Sequence, residues 1–292
     1  MARVAVVGPG ALGTTLAAWL VQGAAHEVTV CARTPLARLE VAAPGGPIVA
    51  SPAVLLDPAA ATPADWVIVA TKTYDVAGCA PWLDRLVGPA TRVALVQNGV
   101  EHRTRLAGRV PDERLVPVIA YLPAERLAPG RVLQREDGRL VVPDEEAGRA
   151  FAALFDGTPI RVEPVADWTS VAWRKLALNA AGAVNALTLR PAGVMADEAL
   201  AAAVRDLVAE VAAVGRAEGA DLPDDLPDAI VAHMRAEAPD GVNSVHADRL
   251  AGRPMEVDAR NGVIVRLGER HGIATPVNRM VAALLGTMGD AR

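Results

Sequence analysis

The chain has few aromatic residues: phenylalanine, tyrosine and tryptophan together make up 3% of its 292 residues. Its core must therefore be built from small aliphatic side chains, chiefly alanine and valine. Cysteine is scarcer still. Cys31 and Cys79 are too few for a disulfide framework or a cysteine-based metal site, and both read as buried apolar residues or inert thiols. Positive charge is not in excess either. A net charge of −5 and the lack of any basic run argue against a nucleic-acid surface. No uncharged apolar run reaches the roughly 18 residues of a membrane span. The apolar N-terminus is interrupted by glycine and proline, where a signal peptide needs a continuous apolar core. The expectation is a cytoplasmic protein that acts on a small molecule and engages neither membrane nor nucleic acid. With 52% hydrophobic and 22% charged residues the chain can bury a large core, and its length suggests about two domains.

The stretch that organises the chain is Arg3 to Gly13, RVAVVGPGALG. A short apolar strand runs into a glycine turn with the spacing G-x-G-x-x-G, and a helix-forming run, Thr14 to Val21, follows. A dinucleotide needs this arrangement. Gly8 permits the tight turn, Gly10 lets the backbone approach a pyrophosphate, and Gly13 lets the helix pack on the strand. The backbone from Gly10 through Ala11 and Leu12 to Gly13 opens the helix, whose first amides and dipole favour phosphate.

The second strand, His26 to Ala32, ends about twenty residues after the turn, where an NAD site carries an acidic residue for the ribose 2′-hydroxyl. Here the sequence reads Cys31-Ala32-Arg33-Thr34, with no carboxylate. Arg33 can pair with a 2′-phosphate through its planar fork, which points to NADPH; a solvated surface arginine is the plain alternative. Pro47 to Leu56 suggests short connecting strands. Trp66 to Thr71 is a continuous apolar run of the buried parallel type, and it delivers Lys72 to the carboxyl edge of a sheet, with a helix expected from there to about Leu86. Arg92 to Val96 delivers Asn98 in the same way, although Asn98-Gly99 alone is also a plain turn signal. Strands are expected between Leu115 and Val142, then a helix from Glu145 to Phe155 and a strand from Pro159 to Val162.

From Asp167 the pattern turns helical, which sets a domain boundary near residue 166: a dinucleotide-binding α/β domain over 1–166 and an all-helical domain over 167–292. Asp167 can cap a helix carrying Lys175 and Asn179, which share one face at a spacing of four. Further helices are expected over Asp197–Glu218, Pro227–Ala236 and Val257–Gly272. Asn243-Ser244 and the run GRPMEVDARNG, with Glu256, stand out as polar clusters. Taken singly, Lys175 could be a snorkelling lysine and Glu256 a solvated first-turn carboxylate.

In this order the motifs resemble the 2-dehydropantoate 2-reductases, or ketopantoate reductases. The resemblance spans nearly the whole chain: GPGALG, Arg33, KTYD around Lys72, QNGV around Asn98, WRKLALN around Lys175, Ser244, GRPMEVDARNG around Glu256, and the closing RHGIATPVN. It implies a Rossmann-type domain followed by a helical domain, with the active site between them, and reduction of a 2-oxo acid to a 2-hydroxy acid with NADPH on the route to pantothenate. It makes Lys175 the catalytic lysine. Lys72 and Asn98 would hold the nicotinamide side and the reacting group. Asn98, Asn179 and Ser244 would bind substrate, and Glu256 would contact the substrate hydroxyl and the cofactor ribose. A homodimer is one assembly this implies.

The sequence departs from the family pattern at one point. A second asparagine is expected about eight residues after the lysine, roughly two helical turns on. Ala183 occupies that position, and Asn185 lies two residues further along. On an unbroken helix Asn185 would point about 200° away, unless Gly182 breaks the helix. The departure bears on substrate more than on reaction, so a reductase of another small 2-oxo acid or carbonyl compound stays open. A non-catalytic NADPH-binding sensor is the rival of another class, and the intact Lys175 and Glu256 argue against it.

Overall fold

The computed structural model describes residues 1–23 and 26–289, which divide into two units. The first comprises Met1–Gln97 and Glu101–Trp168; the second comprises Asn98–Val100 and Thr169–Arg292.

In the first unit the strands are β1 (Arg3–Val7), β2 (Glu27–Cys31), β3 (Leu39–Ala43), β4 (Gly46–Ala50), β5 (Ala53–Leu55), β6 (Trp66–Val69), β7 (Arg92–Val96), β8 (Leu115–Tyr121), β9 (Ala124–Ala128), β10 (Arg131–Gln134), β11 (Arg139–Pro143) and β12 (Arg161–Val165). The helices are α1 (Ala11–Gln22), α2 (Ala80–Leu86), α3 (His102–Arg105) and α4 (Glu146–Ala153). Eight strands form one sheet in the order β12-β11-β8-β7-β6-β1-β2-β5. Its β5-β2-β1-β6-β7-β8 section is parallel throughout, the strand order of a doubly wound dinucleotide fold. The residues account for this. β1 and β6 lie inside the sheet, and Val4 to Val7 and Trp66 to Val69 are buried at every position, as a sheet covered on both faces requires.

A second sheet, β4-β3-β10-β9, was not foreseen in the sequence. α1 packs against both sheets, so its residues from Gly13 to Leu20 are all buried, and Trp19 donates to the Gln134 side chain at 2.9 Å. The expected helix after Lys72 begins instead as two short 3₁₀ turns, Thr73–Asp75 and Ala77–Cys79, before α2. Both cysteines are buried. Burial pushes the Cys31 thiol up to about 12 and raises that of Cys79, so neither is a nucleophile near neutral pH.

The second unit contains α5 (Trp168–Ala181, of which Trp168 itself groups with the first unit), α6 (Ala183–Thr188), α7 (Glu198–Ala217), α8 (Leu226–Ala236), α9 (Ser244–Leu250), α10 (Val263–His271) and α11 (Pro276–Gly289). Its core is aliphatic: Leu176, Ala177, Val204, Leu207, Val208, Val211, Val263 and Ile264 are 0–1% exposed. Asp197 caps α7 by accepting from Leu200 N at 3.0 Å. The expected helix over Val257–Gly272 differs at its start. Asp258–Gly262 is a π turn, with Gly262 N bonding to Val257 O at 3.0 Å, and only then does α10 run regularly. The wider turn buries Arg260 and Asn261. Such turns recur at functional sites.

Asn261 donates to Asn278 Oδ1 at 3.0 Å, and Asn278 donates to Glu210 at 2.7 Å. Glu210 also accepts the Val277 and Asn278 amides at 2.9 Å, which satisfies the start of α11. The asparagine of the closing RHGIATPVN motif is therefore a strut. Among the described residues no helix is long and apolar enough to cross a membrane, and no cluster of histidine, cysteine and carboxylate could hold a metal ion.

Candidate functional site

The first unit brings together the glycine turn, Arg33 and Lys72. Gly8 has φ +91°, a conformation that an L side chain rarely adopts, and a Cβ there would lie 2.5 Å from Thr71 Cγ2. A Cβ on Gly13 would lie 2.2 Å from the carbonyl oxygen of Gly8, so only glycine allows α1 to start this close to the turn. Gly10 is different. A Cβ there would meet nothing within 4 Å, so its glycine is not demanded by packing and instead leaves room for a ligand against the backbone. Gly10 also caps α1, offers no side chain to the first amides, and no acidic residue occupies the first turn. The amides around Ala11, Leu12 and Gly13 are thus available to an anion, and the turn fits a pyrophosphate.

Arg33 follows β2, with its side chain 83% exposed and ion-paired to Asp75 at 3.2 Å. Asp75 belongs to the same KTYD motif as Lys72, a pairing the sequence did not announce. An exposed pair of this kind is weak, so the guanidinium can turn to a phosphate at little cost. Lys72 is half-buried and precedes the turn Thr73–Asp75. Its neighbourhood is held by Gln97, whose Nε2 donates to the Thr71 carbonyl at 2.9 Å. The Gln97 carbonyl in turn meets His102 Nε2 at 2.9 Å, and His102 stacks edge-on to Trp168 with centroids 5.4 Å apart. Burial, helped by Arg105, pushes His102 down to about 3, so it is neutral at ordinary pH.

The second unit brings together Lys175, Asn98, Asn179, Ser244 and Glu256. Asn98 donates to Glu256 Oε2 at 2.9 Å, and Asn179 donates to Asn98 Oδ1 at 3.3 Å. These contacts span 158 and 81 residues of sequence. Glu256 is 5% exposed. Lys175 lies one turn before Asn179 on α5 and is half-buried. Ser244 is exposed at the first position of α9, a short helix that the sequence had not indicated; Asn243 caps it by accepting from His246 N at 3.1 Å.

One residue of this group escaped the sequence reading. Arg260 is 3% exposed; its Nη1 donates to the Asn179 carbonyl at 3.2 Å and its Nη2 to Ser244 Oγ at 2.9 Å. Burial lowers its pKa, and the charges of Glu256 and Asp248 oppose that shift. Its spacing of four after Glu256 was the available signal.

Asn185 is not part of this row. α5 and α6 are separated at Gly182, with Asn185 N bonding to Gly182 O at 3.3 Å in a tighter turn. Asn185 is buried; it donates to the Arg190 carbonyl at 3.0 Å and accepts from Asn243 at 3.0 Å. Its hydrogen-bonding capacity goes to the scaffold behind Ser244.

Two family models match the chain in sequence order. Residues 4–146 match the family described as "Ketopantoate reductase PanE/ApbA", and residues 167–289 match its C-terminal counterpart. A 2-dehydropantoate 2-reductase of Caulobacter vibrioides is 59% identical over 98% of both chains. One from Mycobacterium tuberculosis is 40% identical, again over 98% of both. Among solved structures, a PanE/ApbA-family ketopantoate reductase of Ralstonia eutropha JMP134 is 31% identical, with a TM-score of 0.90 over 99% of this chain and 98% of that one.

Proposed function

The chain belongs to the ketopantoate reductase family, and from that premise we propose that it reduces 2-dehydropantoate to pantoate with NADPH, in the synthesis of pantothenate. The observation that carries the reading is the polar row of the second unit: Asn98, Asn179 and Glu256 joined by hydrogen bonds, with Lys175 one turn away on the helix that bears Asn179.

NADPH, when bound, supplies the hydride that reduces the 2-oxo carbon. The glycine turn would hold the pyrophosphate through backbone amides, and Arg33, now paired with Asp75, would hold the 2′-phosphate. Lys72 assists on the nicotinamide side. As the carbonyl carbon gains hydride, its oxygen gains negative charge, and the Lys175 ammonium meets that charge and gives up a proton to form the hydroxyl. Asn98 and Asn179 orient the reacting group, Ser244 donates to the substrate carboxylate, and Glu256 orients the new hydroxyl and the cofactor ribose. The domain roles follow: residues 1–166 for the cofactor and 167–292 for substrate and catalysis.

We place the enzyme in the cytoplasm, where NADPH-driven synthesis occurs, and as a homodimer, since a related ketopantoate reductase from Staphylococcus aureus is dimeric. The test is NADPH oxidation by the purified protein with a panel of 2-oxo acids, run in parallel with NADH. Turnover of 2-dehydropantoate with NADPH supports the reading. Binding of NADPH with no turnover of any member would leave the sensor alternative.

A further inference from the structure

Arg260 has an environment that a structural strut does not require. Its guanidinium is buried, yet both partners it donates to are neutral: the carbonyl of Asn179 and the hydroxyl of Ser244. Its Nε is buried with no partner among the described residues. A buried guanidinium is costly unless an anion compensates it. The charges of Glu256 and Asp248 act on it from nearby, and each carboxylate also accepts from another residue. Asp248 accepts from Arg253 at 2.9 Å, and Glu256 accepts from Asn98 at 2.9 Å. The bond to Ser244 also has a direction. Guanidinium nitrogen can only donate, so Ser244 Oγ accepts, and its own O–H proton is left for a further acceptor. Ser244 is exposed. An outward hydroxyl donor backed by a buried cation is the chemistry of a carboxylate site.

We propose that Arg260 is the residue that selects an anionic substrate: it fixes Ser244 as a donor and supplies the positive charge that the carboxylate of the 2-oxo acid needs. The inference rests on the 2-oxo acid reading above and assigns that acid's charged end. Arg260 acts through Ser244 and the Asn179 carbonyl, so it is a positioning and specificity residue. The neutral ester or amide of the same acid should gain little from it.

The experiment measures binding of pantoate and of its amide to NADP⁺-loaded protein by calorimetry, for the wild type, Arg260→Met and Arg260→Lys, alongside kcat and KM for 2-dehydropantoate. The wild type should prefer the acid. Arg260→Met should weaken pantoate binding by about a hundredfold, as expected when one partner of a buried charged contact is lost. The amide should change by less than about threefold, and the loss in turnover should fall on KM with kcat largely kept. Arg260→Lys should retain a preference for the acid at reduced affinity, since it keeps the charge without the fork. Equal losses for acid and amide would make Arg260 a strut and overturn the proposal. If Arg260→Met does not fold, Arg260→Lys decides: unchanged acid affinity, or equal loss for both ligands, overturns it. The binding arms need no turnover. If the wild type reduces no 2-oxo acid, the functional reading fails, while a carboxylate preference abolished in Arg260→Met still supports the anion site and its absence in the wild type still refutes it.

Discussion

The two units build their candidate sites from different material. In the first it is backbone: Gly8, Gly10 and Gly13 shape a turn, and α1 starts with no side-chain cap on its first amides. In the second it is side chains: Asn98, Asn179, Ser244, Glu256 and Arg260 are drawn from four stretches of sequence and joined by hydrogen bonds. A region made of backbone tolerates most changes of side chain but almost none of its glycines. A region made of side chains can change its ligand by single substitutions.

The largest expected effect lies in the second region. Lys175→Ala should lower kcat by at least about a hundredfold, the usual cost of losing a general acid, while the dissociation constant of NADPH stays within a factor of about two. A variant with near-normal turnover would remove Lys175 from the reaction. The next effect belongs to the first region. Arg33→Ala should weaken NADPH by roughly 1.5–3 kcal/mol and leave NADH almost unchanged, because only the charge-assisted phosphate contact is lost. Equal loss for both nucleotides would make Arg33 merely structural.

The glycines sharpen the contrast inside the first region. Gly13→Ala forces a Cβ to 2.2 Å from a carbonyl oxygen, so thermal unfolding should move down by an amount corresponding to about 1–3 kcal/mol. Gly10→Ala meets nothing within 4 Å, so its melting temperature should hold while NADPH affinity falls. If both variants lose stability alike, Gly10 is serving packing and not a ligand.

His102 supplies a pH test of the same region. Its folded pKa is lowered from 6.5 to about 3, so on acidification the unfolded chain takes up the proton first. Its contribution is complete above about pH 6.5 and is lost progressively as pH falls towards 3, at up to roughly 1.4 kcal/mol per unit. Urea unfolding of His102→Gln should show a shallower acid loss than the wild type between about pH 6.5 and 5. Parallel slopes would mean that His102 is not buried neutral.

The smallest effect concerns the displaced asparagine. Asn185 is committed to Arg190 and Asn243, so it should not pair the terminal hydroxyl of 2-dehydropantoate. The ratio of kcat/KM for 2-dehydropantoate to that for 2-oxoisovalerate should stay below about a thousandfold, and Asn185→Ala should leave that ratio within about threefold. A larger ratio that collapses in Asn185→Ala would return Asn185 to the site.

The contrast also explains what was legible. Glycine spacing, the apolar run Trp66–Thr71 and the arginine after the second strand are local signals; the glycine turn does join β1 to α1, β6 fills Trp66–Val69 of the run, and Arg33 follows β2. The i, i+4 pair Lys175 and Asn179 is local too, and both lie on α5. Arg260 was missed because its partners lie 16 and 81 residues away and because a π turn, absent from the expected helix, buries it. The second sheet was missed for a similar reason: β3 pairs in parallel with β10 across most of the first unit's length, a non-local contact with no periodic signature. Asn278 stood in a motif and proved to be a strut, since a polar residue in a recognisable pattern can serve the core as well as the ligand.

The most direct measurement follows the hydride itself. With NADPH dideuterated at nicotinamide C4 and 2-dehydropantoate as substrate, the product pantoate should carry one deuterium at C2, and the label should appear at a rate that Lys175→Ala cuts by about a hundredfold or more. Consumption of the cofactor without label at C2, or no consumption at all, would contradict the account.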